Sequence, residues 1–281
     1  MTKPSKSSGY HPTEGEWEVL QAGVLAQTGL DLRHYKQEHM RRRILMMVES
    51  LALGNLQELT HFLAASPEYT RWFIDKLSIN VSELYRDPAK WVELTERVLP
   101  QLIKERSTLK CWSAGCSFGA EAHTLAIILD VHFPGEHAIS GTDIDEAALH
   151  QARRGEFATA EMRHVEPEVR SAYFDYDRSR DIWKASDSIR RYLAFRRADL
   201  FTSRFGSDYD LILYRNVAIY LTETAQEHLY RKLLMALRPG GYLFTGSTEK
   251  IVNAEQIGFE VPVPMFYRRP MISEKSIQLA S

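Results

Sequence analysis

Near the start of the chain, apolar residues recur at three- and four-residue intervals. Trp17, Leu20 and Val24 form one stripe, and Met40, Ile44, Met47 and Leu51 form another, the spacing of helix faces turned to a core. Gly29 and Gly54 fall where such helices would stop. The pattern predicts a small all-α domain of three or four helices over residues 13–77. Past Pro88 the period changes. An amphipathic stretch over 89–106 predicts a helix, which leads into a short buried strand, Leu109-Lys-Cys-Trp-Ser113. Strands and helices then alternate. A helix carries Leu125 to Leu129, a second strand covers 138–142, a helix covers 146–154, a third strand precedes Asp199, and a fourth covers 210–214. A helix over 222–237 is stopped by Pro239-Gly240-Gly241, a fifth strand covers 242–245, and residues 259–263 and 265–268 form a hairpin pattern. Residues 155–197 interrupt the alternation. Tyr173, Phe174, Trp183, Ile189, Tyr192, Leu193 and Phe195 there predict an inserted subdomain of helix and small antiparallel strands. Alternation with a closing antiparallel pair specifies an α/β fold with a mostly parallel sheet.

Composition leaves this picture in place and narrows the chemistry. A chain of 281 residues with 44% apolar and 26% charged content can fill a core. A net charge of -2 gives no whole-chain attraction to nucleic acid or anionic lipid, so any basic contact surface must be local. One local cluster is present in the second helical stretch: Arg33, His34, Lys36, His39, Arg41, Arg42 and Arg43. It reads either as a solvated helix face or as a docking surface for an acidic partner; stacking aromatics are not interleaved with it, which argues against nucleic acid. The two cysteines, Cys111 and Cys116, make no disulfide framework, and without neighbouring ligands they make no metal site. The absence of an 18-residue apolar run predicts no membrane insertion, and residues 1–9 lack an apolar signal core, so the expected location is cytoplasmic. Residues 1–12 are expected to be a disordered tail, and 271–281 a second tail.

The candidate chemistry gathers at strand ends. After the first strand come Gly115, Ser117 and Gly119, then an apolar helix, which is the opening of a nucleotide-binding βαβ unit. Gly-x-x-x-Gly matches neither G-x-G-x-x-G nor a P-loop, so a nucleoside without phosphates fits this turn better, and S-adenosylmethionine is the candidate. Asp143 ends the second strand 24 residues after Gly119, close to the ~20-residue spacing of dinucleotide binders, where a carboxylate accepts ribose hydroxyls. Asn80, Ser82 and Arg86 lie in the segment 78–88, just upstream of the glycine strand; they form either a capped turn or a closure over a ligand. Arg215 and Asn216 end the fourth strand, on the edge where open α/β sheets bind ligands.

Five stretches in order carry a resemblance: Asn80-Val-Ser-Glu-Leu-Tyr-Arg86, Trp112-Ser-Ala-Gly-Cys-Ser-Phe-Gly119, Thr142-Asp-Ile-Asp145, Tyr214-Arg-Asn-Val-Ala-Ile-Tyr220 and Gly246-Ser-Thr-Glu249. Over residues 15–269 the chain resembles the CheR-type chemotaxis receptor (protein-glutamate) O-methyltransferases. The resemblance implies a class I S-adenosylmethionine-dependent methyltransferase fold, Rossmann-like, over 89–270. It is preceded by the α domain and a linker at 78–88 that contributes to the cofactor site, and it carries the inserted subdomain. It implies methylation of glutamate side chains on chemotaxis receptors, with S-adenosylhomocysteine as product. Asn80, Ser82 and Arg86 would line the methionine end of the cofactor. Glu121 corresponds to the second acid of the family's G-E-E-P-Y, Asp143 would take the ribose, Asp199 and Leu200 lie near the adenine, and Gly115, Arg215 and Asn216 complete the pocket. Arg86 would orient a carboxylate, and Tyr220 would shape the acceptor channel. The basic helix around Arg33–Arg43 would face the receptor's methylation helices, and the subdomain can, in some members, bind a receptor tail peptide. Ala120, Ala122 and His123 depart from the family's Glu, Pro and Tyr, Ser82 replaces Thr, Leu84-Tyr85 replace Phe-Phe, Phe118 replaces Thr, and Asp199 replaces Asn. An active methyltransferase and a binding module for the same cofactor both remain open at this point.

Overall fold

The computed structural model describes residues 10–78 and 80–271. By contacts the chain divides into two compact units, Met1–Ile79 with Tyr220–Thr222, and Asn80–Ile219 with Glu223–Ser281. Residues 1–9 and 272–281, which hold most of the expected tails, lie outside the described residues.

The first unit contains α1 (Glu14–Thr28), α2 (Gln37–Ser50), α3 (Leu56–Ala65) and α4 (Pro67–Leu77). Thr13 and Glu16 close a capping box on α1, and Gly29 ends that helix at φ 76°, a conformation that favours glycine. Trp17, Leu20 and Val24 of α1 are buried, as are Leu56, Leu59 and Leu63 of α3 and Phe73 and Ile74 of α4. The basic cluster is not one surface. Arg41 is paired with Glu14 and lies 5.1 Å from the Trp17 ring centroid. Arg43 donates to the carbonyls of Lys76 and Ser78. Lys36, His39 and Arg42 are exposed. Helix packing thus consumes Arg41 and Arg43 and leaves Lys36, His39 and Arg42 to solvent. Tyr220–Thr222 joins this unit as a short antiparallel bridge, Tyr35 to Leu221.

The second unit opens with α5 (Pro88–Glu93), a π-helical turn at Leu94–Val98 and α6 (Leu99–Glu105), where one regular helix was expected. Pro100 explains the change, because it lacks an N–H and its ring crowds the carbonyl four residues earlier. Then come β1 (Lys110–Ala114), α7 (Ala120–His132), β2 (Ala138–Asp143), α8 (Glu146–Arg154), β3 (Glu156–Ala158), α9 (Pro167–Tyr173), β4 (Phe174–Asp177), β5 (Ile182–Ala185), α10 (Asp187–Arg190) and β6 (Leu193–Arg197). The chain closes with β7 (Tyr209–Tyr214), α11 (Glu223–Ala236), β8 (Leu237–Thr245), α12 (Ala254–Ile257), β9 (Glu260–Val263) and β10 (Phe266–Arg268).

One sheet has the order β6-β2-β1-β7-β8-β10-β9, parallel except where β10 pairs antiparallel with β8 and β9. A small antiparallel sheet, β3-β5-β4, forms the core of the insertion. The expected insertion boundary at 197 is too late, because β6 pairs with β2 in the main sheet. The expected fifth strand at 242 is also late. β8 begins at Leu237 and runs through Pro239-Gly240-Gly241, with a register shift opposite Tyr209 and Leu211 that takes up the extra residues as a bulge. All six residues of β7 are buried, and α7 is apolar nearly all round, which marks a central layer covered on both faces. Since β1, β2, β7 and β8 are parallel, their C-termini share one edge, and the strand order reverses direction between β1 and β7.

Among the described residues, no helix is long and apolar enough to cross a membrane, no cluster of His, Cys, Asp and Glu has metal-holding geometry, and both cysteines are buried and free.

Candidate functional site

The edge at the ends of β1, β2 and β7 is built from its turn outward. Gly115 sits at φ +77°, and a Cβ there would lie 2.7 Å from Val217 Cγ2, so both conformation and space demand glycine. The N–H groups of Gly115 and Cys116 donate to the Thr142 carbonyl at 2.8 and 2.9 Å, pinning the turn to β2. Ser117 is left-handed at φ 48°, an uncommon state for a residue with a Cβ. Two bonds hold it there. Its N–H donates to Asp143 Oδ2 at 2.7 Å, and its hydroxyl donates to Asn80 Oδ1 at 2.7 Å. Asn80 Nδ2 in turn donates to Asp145 Oδ2 at 2.6 Å, while Asp145 Oδ1 caps α8 through Ala147. Asp143 Oδ1 accepts from the Asp145 N–H at 3.0 Å. Each Asp143 oxygen therefore carries one backbone bond and keeps a lone pair for a further donor. Burial pushes the Asp143 carboxyl above its ordinary range, and those N–H groups pull it back.

Glu121, in the first turn of α7, is the second acid. Its Oε1 accepts from the Ser113 hydroxyl at 2.8 Å, and its Oε2 lies 3.6 Å from Arg215 Nη1. Burial pushes its carboxyl up to about 7, against the pull of Arg215 and Ser113.

Arg215 is placed differently from its expected role in the pocket. Its side chain is only 3% exposed, between the rings of Trp91 and Phe244 at 5.1 and 4.7 Å. It donates to the Arg86 carbonyl at 2.8 Å and to Asp87 Oδ2 at 3.0 Å. Arg215 thus supports the 86–87 segment from behind, where Tyr85 and Asp87 are both left-handed. Arg86 itself is half-buried, and its Nη1 donates to the Val81 carbonyl at 3.0 Å. Ser82 is half-buried in the same segment.

Asp199 spends one oxygen on its own turn, accepting from the N–H of Phe201 at 2.6 Å and of Thr202 at 3.3 Å. The carbonyls of Leu200, Phe201 and Ser203 receive Lys232 Nζ at 2.8, 2.8 and 3.2 Å, so one ammonium from α11 ties the whole turn down. Asn216 is left-handed at φ 61°, and its N–H is taken by the buried Glu249. Tyr220 belongs to the helical unit, where its carbonyl accepts from the Lys36 N–H at 2.9 Å.

The structure therefore brings together Asn80, Gly115 and Asp143 through Ser117, and it brings Glu121 and Arg86 together through Arg215. Ser113, Asp145, Lys232 and Glu249 were not expected as site residues, and Ser117 was expected only as part of the glycine turn. For Asp145 and Glu249 the signal was present in the Thr-Asp-Ile-Asp and Gly-Ser-Thr-Glu stretches. Lys232, in the middle of a helix, gave none. Ala120, Ala122 and His123 are fully buried. His123 packs between Phe157 and Phe195, and its Nδ1 meets the Gly119 carbonyl at 2.8 Å. These departures are packing positions of α7.

The family profile described as "CheR methyltransferase, SAM binding domain" matches residues 80–263, and "CheR methyltransferase, all-alpha domain" matches residues 15–78. The chain is similar to the "Chemotaxis protein methyltransferase" of Listeria innocua, at 35% identity over 87% of this chain and 93% of the relative. The protein of the same name from Listeria monocytogenes is 34% identical over 87% of this chain and 93% of its own length. "Chemotaxis protein methyltransferase 1" of Pseudomonas aeruginosa is 28% identical over 85% of this chain and 91% of its own length.

Proposed function

Because the chain belongs to the CheR methyltransferase family, we propose that it transfers the methyl group of S-adenosylmethionine to glutamate side chains of chemotaxis receptors, the adjustment that tunes adaptation. The observation that carries this reading is the Asp143 carboxylate. It is held by two backbone N–H groups at a parallel strand end, beside a glycine turn with no room for a Cβ.

The residues present fit the cofactor. The free lone pairs of Asp143 suit two ribose hydroxyls, Glu121 suits the amino group, and the turn held by Lys232 suits the adenine end. When bound, S-adenosylmethionine supplies an electrophilic methyl group. The acceptor carboxylate is already ionised near neutral pH, so no residue has to remove a proton. What remains for the protein is positioning. Arg86 keeps N–H groups beyond the one spent on Val81, and we assign these to the acceptor carboxylate. Arg215 holds the Arg86 backbone in place and does not touch the acceptor.

Lys36, His39 and Arg42 are the cations we assign to the acidic methylation helices of a receptor. The sheet β3-β5-β4, where the Tyr176 and Trp183 rings lie 4.6 Å apart, is the place we assign to a receptor tail peptide. The burial of Ala120, Ala122 and His123 weighs against the binding-module reading, since these changes remove no group from the edge. The test is incubation with methyl-labelled cofactor and a receptor cytoplasmic fragment. Label should enter the fragment and should be lost when its acceptor glutamates are replaced by alanine. Cofactor binding without any transfer would favour the module.

A further inference from the structure

Glu249 has no place in the chemistry above, yet it is a buried carboxyl at the centre of the edge. It is 4% exposed. Among the described residues it has no ion pair and is satisfied by main-chain donors: Asn216 and Gly246 on Oε2, the latter at 2.9 Å, and Ile219 on Oε1 at 3.4 Å. A buried carboxylate held only by backbone N–H groups is expensive to keep, and an apolar side chain would be the cheaper filler. What the acid achieves is geometric. It joins the end of β7 to the end of β8, and it holds Asn216 in the left-handed region at φ 61°. Gly246 has no room for a Cβ, which would run into Glu249 Oε2 and lie 3.2 Å from the Asn216 nitrogen. The held turn carries Val217, the side chain that closes over Gly115.

From this we infer that Glu249 is a positioning residue for the cofactor: it touches no ligand, and by gripping the 216–219 turn it sets the wall that faces the Gly115 turn. The inference rests on the reading of this edge as the cofactor site. It separates Glu249 from Asp143 and Glu121, whose carboxylates keep lone pairs or charge for a ligand.

The test uses the full chain, S-adenosylhomocysteine titrated by calorimetry, and steady-state methyl transfer. Glu249→Gln keeps the size of the side chain but loses one acceptor oxygen and the charge that strengthens all three bonds. The expected result is a tenfold to hundredfold rise in Kd and in KM for the cofactor, with kcat within about threefold of wild type, the range set by the loss of charge-assisted hydrogen bonds. Gly246→Ala pushes on the same carboxylate while leaving Glu249 intact, and it should give the same KM-selective signature. Thermal unfolding of both variants measures the folded fraction. A purely stabilising role would lower the melting temperature and the active fraction while leaving the Kd of the folded protein at the wild-type value; that result overturns the inference. Should Glu249→Gln not fold, a wild-type Kd in folded Gly246→Ala overturns it equally. Failure of the wild type to bind S-adenosylhomocysteine overturns the cofactor reading as well. Wild-type binding with unchanged variants overturns only the role of Glu249.

Discussion

Changing Glu121 to glutamine should remove one proton from the linkage between cofactor binding and pH. In the free protein, burial holds this carboxyl at about 7, so near pH 6 it is mostly protonated. A cofactor that brings a cationic amino group beside it favours the ionised form, and binding below pH 7 must then release a proton. Linkage sets the size: affinity rises about tenfold per pH unit below the free value and flattens above it, or roughly 25-fold between pH 5.5 and 7.5 if the bound carboxyl returns to its ordinary range. Calorimetry with S-adenosylhomocysteine in buffers of different ionisation enthalpy reads the proton directly. Wild type should release close to one proton at pH 6 and almost none at pH 8. Glu121→Gln keeps the shape and the Ser113 contact but cannot titrate, so its affinity should lose that slope. Asp143 is also pushed upward by burial, and it contributes equally to both proteins, so the difference between them isolates Glu121. No proton release at pH 6, or an unchanged slope in the variant, would mean that Glu121 does not face the cofactor's amino group.

Two further predictions concern groups that support the site. Lys232→Met removes the ammonium shared by three carbonyls of the 200–203 turn, and should raise the KM for cofactor several-fold with kcat little changed, measured by steady-state methyl transfer. His123 is buried and neutral, and burial holds its ring at about 4, below the ordinary value of 6.5, so its contribution is present above pH 6.5 and is lost as pH falls toward 4. His123→Phe, which fills the same space between Phe157 and Phe195, should therefore gain about 2 kcal/mol on wild type between pH 7 and pH 5 in urea unfolding, with methyl transfer unaltered. An equal stability difference at the two pH values would contradict that account.

The parts of the molecule legible in the sequence are those set by local rules. The helical stripes around Trp17 and Ile44 repeat at the period of a helix, and Gly115, with Asp143 ending the next strand, is a local signature that needs no partner to be recognised. The parts that were not legible depend on residues distant in sequence. Arg215 reads as a strand-end cation, and only the fold shows Trp91 and Phe244 enclosing it. The contacts of Asn80 with Ser117 and Asp145 join three segments distant in sequence, and the first of them alone reads as a capped turn as readily as a closure over a ligand. Pro239-Gly240-Gly241 is a helix stop by composition. The bulge that lets β8 run through it is fixed by pairing with β7 and by Arg238, whose Nε donates to the buried Asp210 at 2.5 Å. The basic cluster around Arg33–Arg43, only part of which lies on α2, could not be divided into packed and exposed members without Glu14 and the Lys76 carbonyl in place.

If this edge delivers a methyl group to a carboxylate oxygen, the new bond is an ester, and its lability to base distinguishes it from every other methylation product. Receptor fragment labelled by the protein from methyl-labelled S-adenosylmethionine is treated with mild alkali, and volatile radioactivity is collected. A methyl ester on glutamate releases its label as methanol, so nearly all counts should become volatile. Label that stays on the fragment would mean transfer to nitrogen or sulfur and would rule out a carboxylate acceptor.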